Sequence, residues 1–169
     1  MKIRMERSDD VQSVDHLIRS AFAHAEHCDG NEAELVRALR HSRSFIPELS
    51  LVADVEERIA GYILFTRVGI GDGTGLALAP LAVLPEYQRC GIGSALIGEG
   101  HRIAAALGYD YSVVLGSRAY YSHSGYRPAG EFGIQPPPGL PAENLMAIRL
   151  RGDAAPVSGT IVYAPEFGI

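Results

Sequence analysis

Hydrophobic and polar positions along the chain change their spacing from segment to segment, and this predicts strands alternating with helices. Apolar residues recur every three or four positions, as on the buried face of a helix, in three segments. These helices are expected from an N-cap at Ser8 to Phe22, over Glu32–His41 and over Ile92–Leu107. Strand-like runs fill most of the remainder, at residues 2–7, 49–55, 58–68, 76–84, 111–116, 144–150 and 159–165, and residues 126–132 are expected to be extended. With no internal repeat or linker, this order predicts one α/β domain over residues 1–169.

Local signals refine two of these elements. Asp9 and Asp10 would lie in the first turn of the first helix, where the helix dipole favours negative charge. Gly108 is well placed to end the third helix as its C′ residue. The apolar face of that helix is expected to consist of Ile92, Leu96, Ile103 and Leu107.

Composition and charge exclude several function classes. The chain is 47% hydrophobic and 21% charged, which is typical of a globular protein. Its net charge of −5 indicates no broad basic face, so no nucleic-acid partner is expected. The charged N-terminus does not resemble a signal peptide and no apolar run is long enough to span a membrane. A cytoplasmic location and no membrane partner are therefore expected.

Two cysteines, Cys28 and Cys90, provide neither a disulfide framework nor a zinc pattern, which agrees with a reduced cytosol. His24, His27 and Cys28 form a small cluster, but two histidines without a third placed ligand are more often surface residues. No metal is expected.

The most informative stretch is the strand-to-helix connection between Leu81 and Ile97, "LAVLPEYQRCGIGSALI". Two glycines one residue apart allow the backbone to approach a ligand closely, and the first amides of a helix bind anions, usually phosphate. A dinucleotide site would need a third glycine where Leu96 stands, and its acid would follow the next strand, whereas Asp110 precedes it. A Walker loop is excluded because no G-K-[ST] is present.

Two segments resemble a known family. "QRCGIG", Gln88 to Gly93, is similar to the Q/R-x-x-G-x-G/A loop that binds the acyl-CoA pyrophosphate in the GNAT (Gcn5-related) N-acetyltransferases. "YYSHSGY", Tyr120 to Tyr126, looks like the late F-Y-x-x-x-G-F segment of that family. The resemblance covers most of residues 1–150, and residues 151–169 look like a C-terminal strand extension. It implies an α/β (α+β) fold with a central mixed, mostly antiparallel, twisted sheet flanked by helices and splayed between strands 4 and 5.

The resemblance also implies where acetyl-CoA would bind. Pro80 lacks an N–H and marks a defect in the fourth strand, beside which the main chain of Leu81, Ala82 and Val83 could pair with pantetheine. Tyr121 matches the tyrosine that faces the CoA sulfur and is assigned as general acid, whereas Tyr120 and Tyr126 are interpreted as packing residues. The remaining cofactor-binding residues are expected in the glycine turn and first helical turn: Gln88, Arg89, Cys90, Gly91, Ile92, Gly93 and Ser94.

The implied activity is acetyl transfer from acetyl-CoA to a primary amine by direct attack in a ternary complex. The acceptor, a small molecule or a peptide, cannot be identified from the sequence, and a homodimer is compatible with the family. The alternatives are a non-catalytic acyl-CoA-binding module and, less consistent with the motifs, a nucleotide-binding or redox domain. The general base is unassigned because the fourth strand carries no acid, while Glu26, Glu32, Glu34 and His123 are each expected at the surface.

Overall fold

The strands of the computed structural model, which describes residues 1–25 and 30–169, form one mixed sheet with helices on both faces. The strands are β1 (Lys2–Met5), β2 (Phe45–Val55), β3 (Arg58–Ile70), β4 (Gly73–Val83), β5 (Tyr111–Leu115), β6 (Arg127–Pro128), β7 (Ile134–Gln135), β8 (Leu145–Arg149) and β9 (Gly159–Val162). The helices are α1 (Val11–Phe22), α2 (Glu32–Leu39), α3 (Ile92–Ala106) and α4 (Arg118–Tyr121). Three residues weighed in the sequence lie outside the residues that the structure describes: Glu26, expected at the surface, and His27 and Cys28 of the small cluster.

The main sheet has the order β1-β2-β3-β4-β5-β8-β6, and its neighbouring strands are antiparallel except for β4 and β5. This is the mixed, mostly antiparallel sheet that the sequence predicts. β9 pairs antiparallel with the end of β3 and parallel with β7. β9 therefore adds to the sheet by pairing with strands of its own chain.

Two layers of helix cover the sheet because its strands are apolar on both faces. α3 packs on one face through Leu96, Ile97 and Ala104, against Phe65 among others. α1 and α2 pack on the opposite face, where Tyr62 is fully buried. Within the described residues, no helix is both long and apolar enough to cross a membrane.

A wedge opens between β4 and β5. The two strands pair only at Leu76–Ser112 and Ala77–Val113, after which β5 stays with β8 and β4 stays with β3. β4 has a bulge beyond that point, because Ala79 and Pro80 together face a single residue of β3. Residues 78–83 consequently present an edge toward β5 to which no strand of the described residues is paired, and this confirms the predicted splay between strands 4 and 5.

Three local predictions were wrong. Ser8 is not an N-cap, because residues 8–10 form a 3-10 turn in which the Asp10 carboxylate accepts a 2.7 Å hydrogen bond from the Arg7 amide. Leu107 does not belong to the buried face of α3, since it is 46% exposed beyond the last helical residue. Gly108 does end the helix as expected, with φ +94°. Residues 129–132, expected to be extended, form a 3-10 turn that leads into β7.

Candidate functional site

An open cleft of about 520 Å³ lies between the end of β4, the glycine turn and α4. We call it the α3 cleft, because the N-terminal turn of α3 forms its floor. Its walls bring together two regions of the sequence that lie some thirty residues apart, at 81–94 and 120–121. The lining residues are Leu81, Val83, Tyr87, Gln88, Arg89, Gly91, Ile92, Gly93, Ser94, Tyr120 and Tyr121.

The N-terminus of α3 is built to expose its amides. Gly91 precedes the helix with φ +85°, a left-handed conformation that glycine adopts without strain. No described side chain caps this end, so the amides of Ile92, Gly93 and Ser94 keep their free N–H groups at the positive end of the helix dipole. Arg89 is also left-handed, at φ +61°, which is uncommon for a residue with a side chain. Backbone N–H groups that converge in such a turn can bind an anion.

The side chains of this turn have different roles. The Gln88 amide nitrogen donates a 3.1 Å hydrogen bond to the Val83 carbonyl and so ties the turn to the end of β4. Arg89 makes no ion pair with any described residue and remains available to an anion. The exposed Cys90 thiol donates a 3.5 Å hydrogen bond to the Gln88 carbonyl and does not line the cleft.

The edge of β4 forms one wall of the cleft. Leu81 and Val83 point into the cleft, whereas the Ala82 side chain is buried on the opposite face against α1 and α2. Only the main chain of Ala82 can therefore reach a ligand in the wedge. These three residues pair with β3 on one side, and on the other side they have no strand from the part of the chain that the structure describes.

Tyr121 lies on the opposite wall, fixed by its neighbours. Its ring makes edge-to-face contacts with Tyr120 and Tyr126, at centroid distances of 4.9 and 5.7 Å. Gly116 lies directly beneath the ring, since a Cβ at that position would come within 2.5 Å of Tyr121 Cε2. Burial, with a smaller effect of Tyr120, raises the pKa of Tyr121 to about 12. The phenol is therefore protonated at neutral pH and able to donate a proton.

Tyr120 lines the cleft, whereas the sequence predicts only a packing residue at this position. Its ring contacts Tyr121, but the residue is 44% exposed. Its hydroxyl lies 2.2 Å from where a Cβ of Gly93 would be, so it stands directly over the first turn of α3. Any side chain at position 93 would displace it. The pair of adjacent tyrosines on a short helix was the available signal, but their orientation depends on how α4 sits against α3.

A buried hydrogen-bonded group lies behind Tyr121. The Tyr126 hydroxyl contacts Ser112 Oγ at 2.8 Å and His101 Nε2 at 3.0 Å. Burial lowers the pKa of His101 to about 4, so the imidazole is neutral at pH 7. Tyr126 is thus a packing residue, as predicted, and it also connects β5 to α3.

Among residues 1–25 and 30–169, no carboxylate or imidazole lines the α3 cleft. Glu34 is exposed and pairs at 2.6 Å with Arg19, which lowers the pKa of its carboxyl group. Glu32 is half-buried on α2, and His123 is exposed with its Nδ1 2.7 Å from the Ala119 carbonyl. Among the described residues, no three His, Cys, Asp or Glu side chains are arranged to hold a metal ion.

Known proteins resemble this chain in sequence and in structure. The Escherichia coli N-acetyltransferase YjhQ is 42% identical over 118 residues, which are 67% of this chain and 65% of YjhQ. The chain thus spans slightly less than two thirds of YjhQ. The Escherichia coli GNAT family N-acetyltransferase YhbS, solved in complex with CoA, superimposes with a TM-score of 0.89 at 30% identity, covering 99% of this chain and 92% of YhbS.

A GNAT family acetyltransferase from Brucella melitensis, solved in complex with acetyl-CoA, gives a TM-score of 0.81 at 28% identity, with 98% of this chain and 97% of that chain covered. The model of the acetyltransferase (GNAT) family matches residues 12–126, which is more than half of the sequence. That range includes both the glycine turn and the tyrosine segment. The resemblance seen in the sequence is confirmed, and the chain belongs to the GNAT acetyltransferase family.

Proposed function

We propose that this protein is an acetyltransferase that moves the acetyl group of acetyl-CoA to a primary amine by direct attack in a ternary complex. One observation carries the proposal: the uncapped amides of α3, the unpaired edge of β4 and the protonated Tyr121 face the same cleft. Each matches a different part of acetyl-CoA. The family membership and the two relatives solved with CoA and acetyl-CoA support the same assignment.

The coenzyme would bind along the cleft in one direction. Its pyrophosphate lies on the amides of Ile92, Gly93 and Ser94, where Arg89 adds a positive charge. Pantetheine extends along residues 81–83 and pairs with their main-chain groups in place of a neighbouring strand. The thioester then reaches the wedge, with its sulfur toward Tyr121.

The chemistry needs a neutral amine and a protonated leaving group. The amine nitrogen attacks the thioester carbonyl carbon, a C–N bond forms, and the C–S bond breaks. A neutral amine carries one proton more than the amide retains, and this proton ends on the coenzyme sulfur. Tyr121 donates to the departing sulfur, whose reference pKa near 8.5 would otherwise leave it as a thiolate, and recovers the proton from the amine. Holding both reactants in line supplies much of the acceleration.

The alternative of a non-catalytic acyl-CoA-binding module rests on one observation: none of the described residues places a carboxylate or imidazole in the α3 cleft. Release of thiol from acetyl-CoA in the presence of amines distinguishes the two, because a binding module releases none. Location in the cytoplasm, the absence of nucleic-acid and membrane partners, a homodimeric state and a single domain over residues 1–169 stay predictions of the sequence.

Calorimetric titration with acetyl-CoA, CoA and NADH tests the coenzyme site. We expect micromolar binding of both CoA species and none of NADH. Gly91→Glu should abolish CoA binding, because it places a carboxylate against the pyrophosphate. Gly108→Glu is the matched control: it has the same left-handed backbone, at φ +94°, and open space around it, at the other end of the same helix. Equal CoA affinity in the two variants would exclude the proposed site.

A further inference from the structure

A second cavity, of about 220 Å³, lies in the same wedge. We call it the rear cavity. It extends into the wedge from the face of the sheet opposite the α3 cleft, since its walls include Ala77, whereas Leu81 and Val83 of the α3 cleft lie on the α3 face. Its lining residues come from α2, β4, β5 and the segment after β9: Leu35, Ala77, Leu78, Ala79, Val113, Val114, Leu115, Tyr163, Phe167 and Ile169.

The position of this cavity connects it to the reaction. Leu78 and Ala79 of β4 face Val114 and Leu115 of β5 just beyond the last paired residues, where the strands begin to separate. The α3 cleft continues along β4 from Leu81. A thioester held where β4 and β5 separate is therefore reached from the α3 cleft on one face of the sheet and from the rear cavity on the other.

The rear cavity is lined mainly by hydrocarbon side chains. All its lining side chains are apolar except Tyr163, and none is charged. Tyr163 is 8% exposed, and its ring contacts the Phe167 ring at a tilt of 57° and a centroid distance of 5.3 Å. Its hydroxyl makes no hydrogen bond within the part of the chain that the structure describes. A ligand there would meet apolar side chains, one unpaired phenol and the main chain of Leu78 and Ala79 beyond the last β4–β5 pair.

Resting on the proposed acetyl transfer, we propose that the rear cavity binds the acceptor, and that the acceptor is a primary amine on a compact apolar group. A cavity of 150 Å³ accommodates a benzene ring, so about 220 Å³ suits one ring or a branched alkyl chain with a short arm. A second ammonium group would be desolvated with no charged side chain of the cavity to pair with, which disfavours polyamines. The apolar walls also favour the neutral form of the attacking amine, as burial disfavours a charged one. This accounts for an active site without a carboxylate.

The first test compares apolar monoamines with amines that carry further ammonium groups. Thiol release from acetyl-CoA is measured with 1-aminopentane and 1,5-diaminopentane, and with 2-phenylethylamine and spermidine. We expect kcat/KM to be at least about tenfold higher for the apolar member of each pair. Equal values for both members would overturn the proposal about the acceptor while leaving acetyl transfer intact. Failure to bind acetyl-CoA at all would instead overturn the proposed function.

The second test changes the size of the cavity. Leu35→Phe narrows it and should lower the ratio of kcat/KM for 2-phenylethylamine over ethylamine by about tenfold, while Phe167→Ala should raise activity toward bulkier aryl amines. Leu107→Phe, the same change at an exposed leucine outside both sites, should leave the ratio unchanged. Acetyl-CoA affinity should stay constant in all three variants. An unchanged ratio in both cavity variants would contradict the assignment.

Discussion

Gly116 is expected to set the position of Tyr121, and Gly116→Ala tests this. Ordinary van der Waals contact begins at 3.4 Å, whereas the new Cβ would lie 2.5 Å from Tyr121 Cε2 and 3.1 Å from Cδ2. The ring must therefore retreat by about 0.9 Å toward the cleft, because Tyr126 blocks it on another side. A misplacement of about 1 Å costs on the order of a hundredfold in rate. We expect kcat to fall by about that factor, or about 2.7 kcal/mol in barrier height.

Steady-state thiol release at saturating acetyl-CoA measures this effect. Gly130→Ala is the control, since a Cβ there meets no heavy atom within 4 Å. Acetyl-CoA affinity should remain close to wild type, because Gly116 does not line the α3 cleft. Tyr121→Phe should lower kcat as well, and the double variant should be no slower than Tyr121→Phe alone, because both changes remove the same proton donor. A wild-type kcat in Gly116→Ala, or fully additive losses, would refute a role for the placed phenol.

Two further predictions concern stability, measured by urea unfolding. Gly100→Ala would bring a Cβ within 2.3 Å of the fully buried Phe65 ring and should destabilise the fold by about 1–3 kcal/mol, whereas Gly98→Ala in the same helix meets nothing and should stabilise it by about 0.5–1 kcal/mol. Because burial lowers the pKa of His101 from 6.5 to about 4, its contribution is complete above pH 6.5, falls as the pH drops and is lost below pH 4. His101→Gln should therefore weaken the decline in stability between pH 6.5 and 4 by about 2–3 kcal/mol, and an identical decline in both proteins would exclude a buried neutral imidazole.

The fold around the proposed acetyl-CoA site was predictable because its signals are local. The spacing of Gly91 and Gly93 after a strand specifies a turn, and the turn specifies the exposed amides. Pro80 predicts the bulge from within its own strand, because proline has no N–H to donate to the backbone hydrogen bonds of the sheet. Family resemblance then added Tyr121, which no local rule would have selected from eight tyrosines.

Residues whose role depends on tertiary contacts were not predictable from the sequence. Gly116 looks like an ordinary glycine after a strand, and its proximity to the Tyr121 ring depends on how α4 returns over β5. The 3-10 turn at Ser8 also depends on a distant partner, because Arg4 of β1 binds the Asp10 carboxylate at 2.7 Å and draws it away from the helix. Local propensity favours a cap there, and the tertiary ion pair overrides it.

The rear cavity is the clearest example of a feature that depends on the folded structure and that the sequence does not predict. Leu35, Ala79, Leu115 and Phe167 come from four segments spread over most of the chain, and none carries a functional motif. Only the topology brings them together, because β9 pairs with the end of β3 and directs the following residues back across the opening between β4 and β5. The coenzyme side is thus encoded in one contiguous motif and the rear cavity in scattered apolar residues. It follows that substitutions around the rear cavity should alter the choice of amine without altering the affinity for acetyl-CoA.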